Sequence, residues 1–320
     1  MQYLIIFLLS LIISLISIPF VKRFGEKFNL VDRKDSRKID KELKVRVGGI
    51  GIFIGFFVSL LIFHFGNIYK LELLYPENLK PILLCAFFIF ILGVIDDIKS
   101  ISPWPRLFGE VLISIYIWSA GVRIDSFSLK IFPEITDIDF PIIISLLLTV
   151  IWITGLINAI NWFDGLDGLA AGMACIYLLF IFIFAFINKN YLVCASSSAL
   201  LGSNLGFLKF NKKPAELIMG DGGSYLNGFL LSVLGLVSIR TISTDQNIIA
   251  ILMLFLIPLI DMTYVIYMRI KFKKSPFFPD RSHLHQRLLN KGYSEDFTLK
   301  YIYFLALLSG LFSLIILNQL

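Results

Sequence analysis

Two adjacent aspartates, Asp96 and Asp97, close an apolar run in "GVIDDIKSISPWPR". Neighbouring carboxylates at the edge of a low-dielectric region repel each other, so a proton or a divalent cation is welcome there. The pair is therefore a candidate base or Mg2+ partner, although alone it reads equally well as a helix end facing water. A second cluster is "NAINWFDGLDGLA" at 158–170, where Asn158, Asn161, Asp164 and Asp167 recur at every third position. On a helix end or a tight turn that spacing would gather oxygens on one side. Hard oxygen donors suit Mg2+, which binds through one or two side chains and completes its shell with water and substrate phosphates. Gly165 and Gly168 let backbone approach a ligand, but Asp-Gly is also a common turn dipeptide, so a capped turn is the competing reading.

Three further polar stretches complete the set. "MGDGGS" at 219–224 puts Asp221 in a glycine-rich turn, with backbone N–H groups that could meet phosphate oxygens and a carboxylate that could hold the bridging metal. It lacks the Lys-Ser/Thr pair of a nucleotide-triphosphatase loop, so ATP hydrolysis is not indicated. "PDRSHLHQRLL" at 279–289 holds His283 and His285, two of the 3 histidines in the chain. Two residues apart, they do not share a helix face, and no third nitrogen or sulfur ligand is near, which argues against zinc. With Arg281 and Arg287 they form a cationic patch suited to phosphate. The remaining histidine, His64, reads as incidental. The fifth stretch is "DRKDSRKIDKELKVRVGGIG" at 32–51. Acids for Mg2+, glycine turns and cations for phosphate together spell phosphoryl transfer at a membrane surface.

These islands must be positioned by membrane helices. Hydrophobic residues make up 57% of the 320, charged residues 16%, and mean hydropathy is +0.83. The apolar residues come in unbroken runs rather than alternating, which predicts helical spans and excludes a β-barrel. The fold class expected is an all-α integral membrane protein with about ten (10–11) spans: 2–21, 47–65, 81–95, 107–122, 140–160, 169–187, 191–208, 225–239, 247–268 and 298–318. The first run lacks a preceding cation and a small-residue cleavage site, so it is expected to stay as a helix with its N-terminus outside. Sidedness then follows from the Lys and Arg count. The loops at 22–46, 96–106, 209–224 and 269–297 carry ten, two, three and seven, against six on the opposite loops. All five polar islands fall on the cation-rich, cytoplasmic side. Basic residues split among short loops exclude nucleic acid as a partner. Cys85, Cys175 and Cys194 lie inside apolar runs without ligand spacing and read as packing residues. A single polytopic domain over 1–320 is the economical organisation.

The motifs "RK" at 37–38, "R-x-G-G" at 46–49, "DD" at 96–97, "N-A-x-N-x-x-D-G-x-D-G-L" at 158–169, "M-G-D-x-G-S" at 219–224 and "R-x-H-x-H" at 281–285 resemble, in order, spacing and sidedness, the polyprenyl-phosphate N-acetylhexosamine-1-phosphate transferase family. The resemblance spans nearly the whole chain. It implies transfer of N-acetylhexosamine 1-phosphate from a UDP-N-acetylhexosamine to undecaprenyl phosphate, with UMP released and Mg2+, or Mn2+ in its place, as cofactor. It also implies a multi-pass enzyme of the bacterial inner membrane whose partners are these two substrates and the bilayer, a homodimer being the assembly considered. Carried over by position, Asp221 and Asn161 would contact the metal, Asp164 and Asp167 the nucleotide, and Arg106 a phosphate. Asp96 and Asp97 would be catalytic, while His283, Arg281 and His285 would act on the pyrophosphate. "DRSHLHQRL" in place of P-x-H-H-x-x-E resembles the branch initiating O-antigen, common antigen and teichoic acid rather than the phospho-MurNAc-pentapeptide translocases. Gln286, Asp40 and Ile218 depart from that branch's usual residues, which bears on sugar choice and base stacking.

Two mechanisms stay open: direct in-line attack by the lipid phosphate, with Asp96 or Asp97 taking a proton, and a route through an aspartyl phosphate. A cation-coupled transporter is the reading from another class, since intramembrane carboxylates often mark ion paths. It demands acids near mid-span, and only Glu110 and Asp261 qualify; both read as structural, paired across the bundle.

Overall fold

The computed structural model describes residues 1–31, 44–65, 76–127, 138–239, 248–277 and 280–319. A peptide group in hydrocarbon has no water to bond, so an apolar segment must satisfy its backbone internally. Each of the ten apolar segments does so as helix. They are α1 (Gln2–Lys27), α2 (Gly49–Phe65), α3 (Pro76–Lys99), α4 (Pro103–Ser119), α5 (Ile142–Phe163), α6 (Leu169–Ile187), α7 (Tyr191–Asn211), α8 (Gly220–Ser238), the pair α9 (Ile248–Leu254) and α10 (Leu256–Lys271), and α12 (Glu295–Gln319). A short α11 (Leu284–Asn290) lies in the polar stretch after α10, and β1 (Ser126–Phe127) pairs antiparallel with β2 (Ile138–Asp139).

Six of these helices, α1, α3, α5, α6, α7 and α12, are long and apolar enough to cross a bilayer, and α9 with α10 makes a seventh if the bent pair is one span. The protein is thus a multi-pass, helical membrane protein. The count falls short of ten because α2, α4 and α8 do not meet the same measure. For α8 the reason is positional: every one of its residues is buried, so none meets lipid and the helix can carry Gly, Ser and Asn. α2, α3, α5, α6 and α7 pack around it.

The segment expected as one span at 247–268 is instead bent by 74° between α9 and α10. Pro258 stands in the first turn of α10, where it has no N–H for the carbonyl of Leu254. The Ser309 hydroxyl of α12 donates to that carbonyl at 3.1 Å. Phe255 fills the corner, fully buried, with its ring 5.0 Å from that of Tyr177.

Close helix contacts use small residues, as expected where apolar area alone cannot drive association. On α1, the Ser14 hydroxyl donates to the Ser203 carbonyl of α7 at 2.9 Å. At the start of α8 the approach is backbone to backbone. A Cβ on Gly93 of α3 would overlap the carbonyl of Asp221 and Cα of Gly222, and one on Gly49 of α2 would overlap the backbone of Gly223.

Candidate active site

The start of α8 is where the polar motifs meet. The chain before it, Leu217–Met219, is stitched to the chain before α2: the Ile218 N–H donates to the Val45 carbonyl at 2.8 Å, and those of Gly48 and Gly49 donate to Ile218 and Met219 carbonyls at 2.9 and 2.8 Å. This strip carries Arg46. Gly220 then turns into α8 at φ +74, a conformation that L side chains rarely adopt.

Asp97, at the end of α3, caps α8. Its Oδ1 accepts the Asp221 N–H at 2.8 Å and its Oδ2 the Gly222 N–H at 2.9 Å, groups that a helix N-terminus leaves without an internal partner. The Nε of Arg46 lies 2.9 Å from Asp97 Oδ1, and its Nη2 lies 2.7 Å from Asp221 Oδ2. Burial works against the Arg46 charge, but the fields of Asp221, Asp97 and Asp164 prevail and hold its guanidinium above the ordinary value. Asp221 Oδ1 accepts from the Asn161 amide at 2.7 Å, and the same amide nitrogen donates to Ser224 Oγ at 2.9 Å.

Asp96 faces a different set of partners. Its Oδ1 accepts the Ile101 N–H at 2.8 Å, while its Oδ2 takes the Tyr225 hydroxyl at 2.7 Å and Arg106 Nη1 at 3.2 Å. The Arg106 guanidinium also lies 5.7 Å above the Tyr225 ring. Adjacent in sequence, the two aspartates thus serve the backbone of α8 and a Tyr–Arg pair respectively.

The four-residue series of the 158–170 motif divides: Asn158 turns to α4, whereas Asn161 and Asp164 both meet the Arg46–Asp221 pair. α5 ends at Phe163, with Asp164 as its C-cap, so the spacing is helical for Asn158 and Asn161 only. Asn158 turns to Glu110 of α4, donating to Oε2 at 2.5 Å. Asn161 reaches Asp221. Asp164 sits within the field of Arg46. Asp167 accepts from Lys44 Nζ at 2.9 Å and from the Ala215 N–H at 2.9 Å, which ties it to the chain before α8. Past the helix break Asp164 stays near Arg46 and Asp167 turns to Lys44 and the chain before α8.

A second cluster lies at the end of α10. Asp261 Oδ2 is 3.0 Å from His283 Nδ1, and its Oδ1 accepts the Leu284 N–H at 2.7 Å and Arg287 Nη2 at 3.1 Å. Arg269 pairs with Asp280 at 3.0 Å and has its guanidinium 5.0 Å from the Trp162 ring. In Asp280 burial favours the neutral acid, but hydrogen bonds from Arg269 and Ser282 outweigh it and hold the carboxyl below its ordinary range. His283 and His285 do share a side: their rings stack 6.0 Å apart at 4°. They can because His283 precedes α11 in extended backbone, so helix spacing does not govern the pair. His285 is buried beside Gly165, where an added Cβ would strike its ring. Neither ring nitrogen has a hydrogen-bond partner among the described residues, and burial, then His283, push the imidazole down to about 4. Arg281 is exposed. The "RK" at 37–38 and Asp40 lie outside the described residues.

Glu110 and Asp261, read as paired structural acids, are paired: Glu110 with Asn158 and Asp261 with His283 and Arg287. Several participants escaped the sequence reading. Arg46 stands in the quoted R-x-G-G but drew no role; Tyr225 directly follows the "MGDGGS" motif, a hint by adjacency. Arg269 is one of seven cations in its loop and nothing in its spacing marks it out.

Among the described residues, no three His, Cys, Asp or Glu side chains cluster as a metal cage. The donors that do converge, Asp221 and Asn161, offer one carboxylate and one amide. That set fits a Mg2+ shared with a phosphate better than an ion held by protein alone.

Comparison with known proteins places the chain in a family. The model of glycosyl transferase family 4 matches residues 79–239, a stretch that runs from α3 through α8 and includes both aspartates, the 158–170 motif and Asp221. The chain belongs to that family. It is 33% identical over 310 residues, covering 97% of this chain and 84% of the relative, to a probable undecaprenyl-phosphate N-acetylglucosaminyl 1-phosphate transferase of Bacillus subtilis (strain 168). It is 28% identical, over 92% of this chain and 77% of the relative, to a decaprenyl-phosphate N-acetylglucosaminephosphotransferase of Mycolicibacterium smegmatis. With an undecaprenyl-phosphate alpha-N-acetylglucosaminyl 1-phosphate transferase of Escherichia coli (strain K12) it shares 27% identity over 86% of this chain and 73% of the relative.

Proposed function

We propose that the protein transfers N-acetylhexosamine 1-phosphate, with N-acetylglucosamine the favoured sugar, from a UDP-sugar to undecaprenyl phosphate in the bacterial inner membrane. UMP leaves, and the product initiates a cell-surface polysaccharide. The observation that carries this reading is the Arg46 guanidinium bridging Asp97 and Asp221 at the start of α8. Acids and a cation there offer partners for both a metal and a phosphate. The names of the relatives supply the sugar and the lipid.

The reaction sets one phosphate anion against another, so cancelling charge is the main task. Mg2+ held by Asp221 and Asn161 would supply Lewis-acid neutralisation of the donor pyrophosphate. Arg46 would pass from its carboxylates to a substrate phosphate, and Arg106, beside Asp96, would meet another. An oxygen of the lipid phosphate attacks the sugar-bearing phosphorus in line as the bridging oxygen departs with UMP. Direct attack is favoured over a covalent aspartyl phosphate, because both oxygens of Asp97 already accept backbone N–H groups and both of Asp96 are engaged. Asp96 or Asp97 would take the proton of a lipid phosphate that arrives protonated. Asp164 and Asp167 shape the nucleotide side, and Arg281 supplies its cationic rim.

The topology that accompanies this reading is ten crossings in one polytopic domain, with the N-terminus outside and the start of α8 on the cytoplasmic side. The test is UMP release by purified protein given undecaprenyl phosphate, Mg2+ and a panel of UDP-N-acetylhexosamines. Release that requires both lipid and metal is expected, greatest with UDP-N-acetylglucosamine. Failure with every donor would return the transporter reading to the front.

A further inference from the structure

Asp261 has no place in the transfer chemistry, yet its carboxylate is 2% exposed and accepts from three groups of one loop: His283 Nδ1, the Leu284 N–H and Arg287 Nη2. On its far side the same imidazole turns Nε2 toward Arg269 Nη2 at 3.4 Å. A guanidinium can only donate, so that nitrogen is the acceptor, and Nδ1 must carry the hydrogen that Asp261 receives. The His283 ring lies 5.2 Å from that of Trp162, the residue after Asn161. The Arg269 guanidinium lies 5.0 Å from the same indole.

We propose that Asp261 is a positioning residue: it fixes His283 as the uncharged Nδ1–H tautomer, locked between Asp261 and Arg269 of α10, so that the 280–287 segment bears on Trp162 and sets the end of α5 that presents Asn161. The inference rests on the transferase reading for its catalytic consequence, but not for its structural content. It moves His283 from a direct role at the pyrophosphate to that of a bridge that accepts from Arg269. Orienting partners of this kind act through the residues they hold.

Histidine-selective 15N labelling tests it on the full-length protein in detergent. The chain has 3 histidines, and His64→Gln and His285→Gln assign the spectrum by subtraction. For His283 a protonated Nδ1 and a bare Nε2 are expected at neutral pH. In Asp261→Asn the amide can donate to Nδ1, so the proton should move to Nε2, and kcat for UMP release should fall by roughly tenfold or more with the KM for the UDP-sugar changed less. A doubly protonated ring or an Nε2–H tautomer in the unaltered protein would overturn the proposal. So would an Asp261→Asn protein with the original tautomer and full kcat. If the substitution prevents folding, the spectrum of the unaltered protein still decides. The two readings fail separately: the expected tautomer without UMP release from any donor would leave this positioning intact and remove the proposed reaction.

Discussion

Asp97 holds Asp221 by its backbone: the Oδ1 of the first accepts the N–H of the second at 2.8 Å. A carboxylate at a helix N-terminus satisfies orphan donors and meets the positive end of the helix dipole. Here it also leaves the Asp221 side chain pointing away, toward Arg46 and Asn161. The like charges of the two acids are separated by a shared guanidinium, which is how both stay in one small buried volume.

The two aspartates should therefore fail differently. Asp97→Ala removes the cap and one partner of Arg46, and should cost about 1–2 kcal/mol of stability together with turnover. Asp221→Asn keeps the cap and should leave the unfolding temperature nearly unchanged while lowering kcat by roughly a hundredfold or more. Thermal unfolding in detergent, run beside UMP release, separates them; an Asp97→Ala protein as stable as the original would refute the capping role.

Gly220→Ala should be worse than its size suggests. A left-handed residue with a Cβ costs about 1–2 kcal/mol, and this Cβ would fall on the Asp97 carboxylate and the Arg46 carbonyl. The expected outcome is a less stable protein with little activity. Gly121, also left-handed at φ +87 but where an added Cβ would meet nothing within 4 Å, is the control: Gly121→Ala should show the backbone cost without the loss of turnover.

Acid should loosen the fold through His285. Its imidazole titrates at about 4 in the folded protein against an ordinary 6.5, so the unfolded chain takes up the proton first. Stability from this residue is whole above pH 6.5 and falls away as pH drops toward about 4, by roughly 3 kcal/mol in all. Replacing it by Gln should flatten that part of the stability profile, measured as unfolding temperature against pH.

Metal removal should separate activity from structure. Arg46, Asp97, Asp221 and Asn161 hold one another without an ion, so EDTA is expected to abolish UMP release and shift the unfolding temperature by little. A large fall in stability on chelation would point to an ion with a structural post instead.

Much of this was legible in the sequence. Runs of apolar residues located the helices because hydrocarbon permits little else, and the polar motifs at 96–97, 158–161 and 219–224 do converge. What escaped depended on distant partners and on where helices begin. The three-residue spacing from Asn158 to Asp167 does not show that Asn158 turns to Glu110 of α4, a partner distant in sequence. The stacking of His283 on His285 is hidden because α11 begins after the first ring. The bend at Phe255 required knowing that Ser309, distant in sequence, would take up the Leu254 carbonyl. Three apolar segments fell short as spans: α2 and α4 are only 17 residues long, and α8, shielded from lipid, has no need of an oily exterior.

The backbone strip joining Val45–Gly49 to Leu217–Met219 has a mechanical consequence. Arg46 and Asp221 are set by peptide hydrogen bonds a few residues away on each segment, with Asp97 of α3 holding the Asp221 N–H. α12, which packs on α6 and α9 and not on this strip, can lean as the bilayer thins or thickens while the spacing between this cation and this acid is held. The pair is anchored like a hinge pin in a frame whose panels are free to flex.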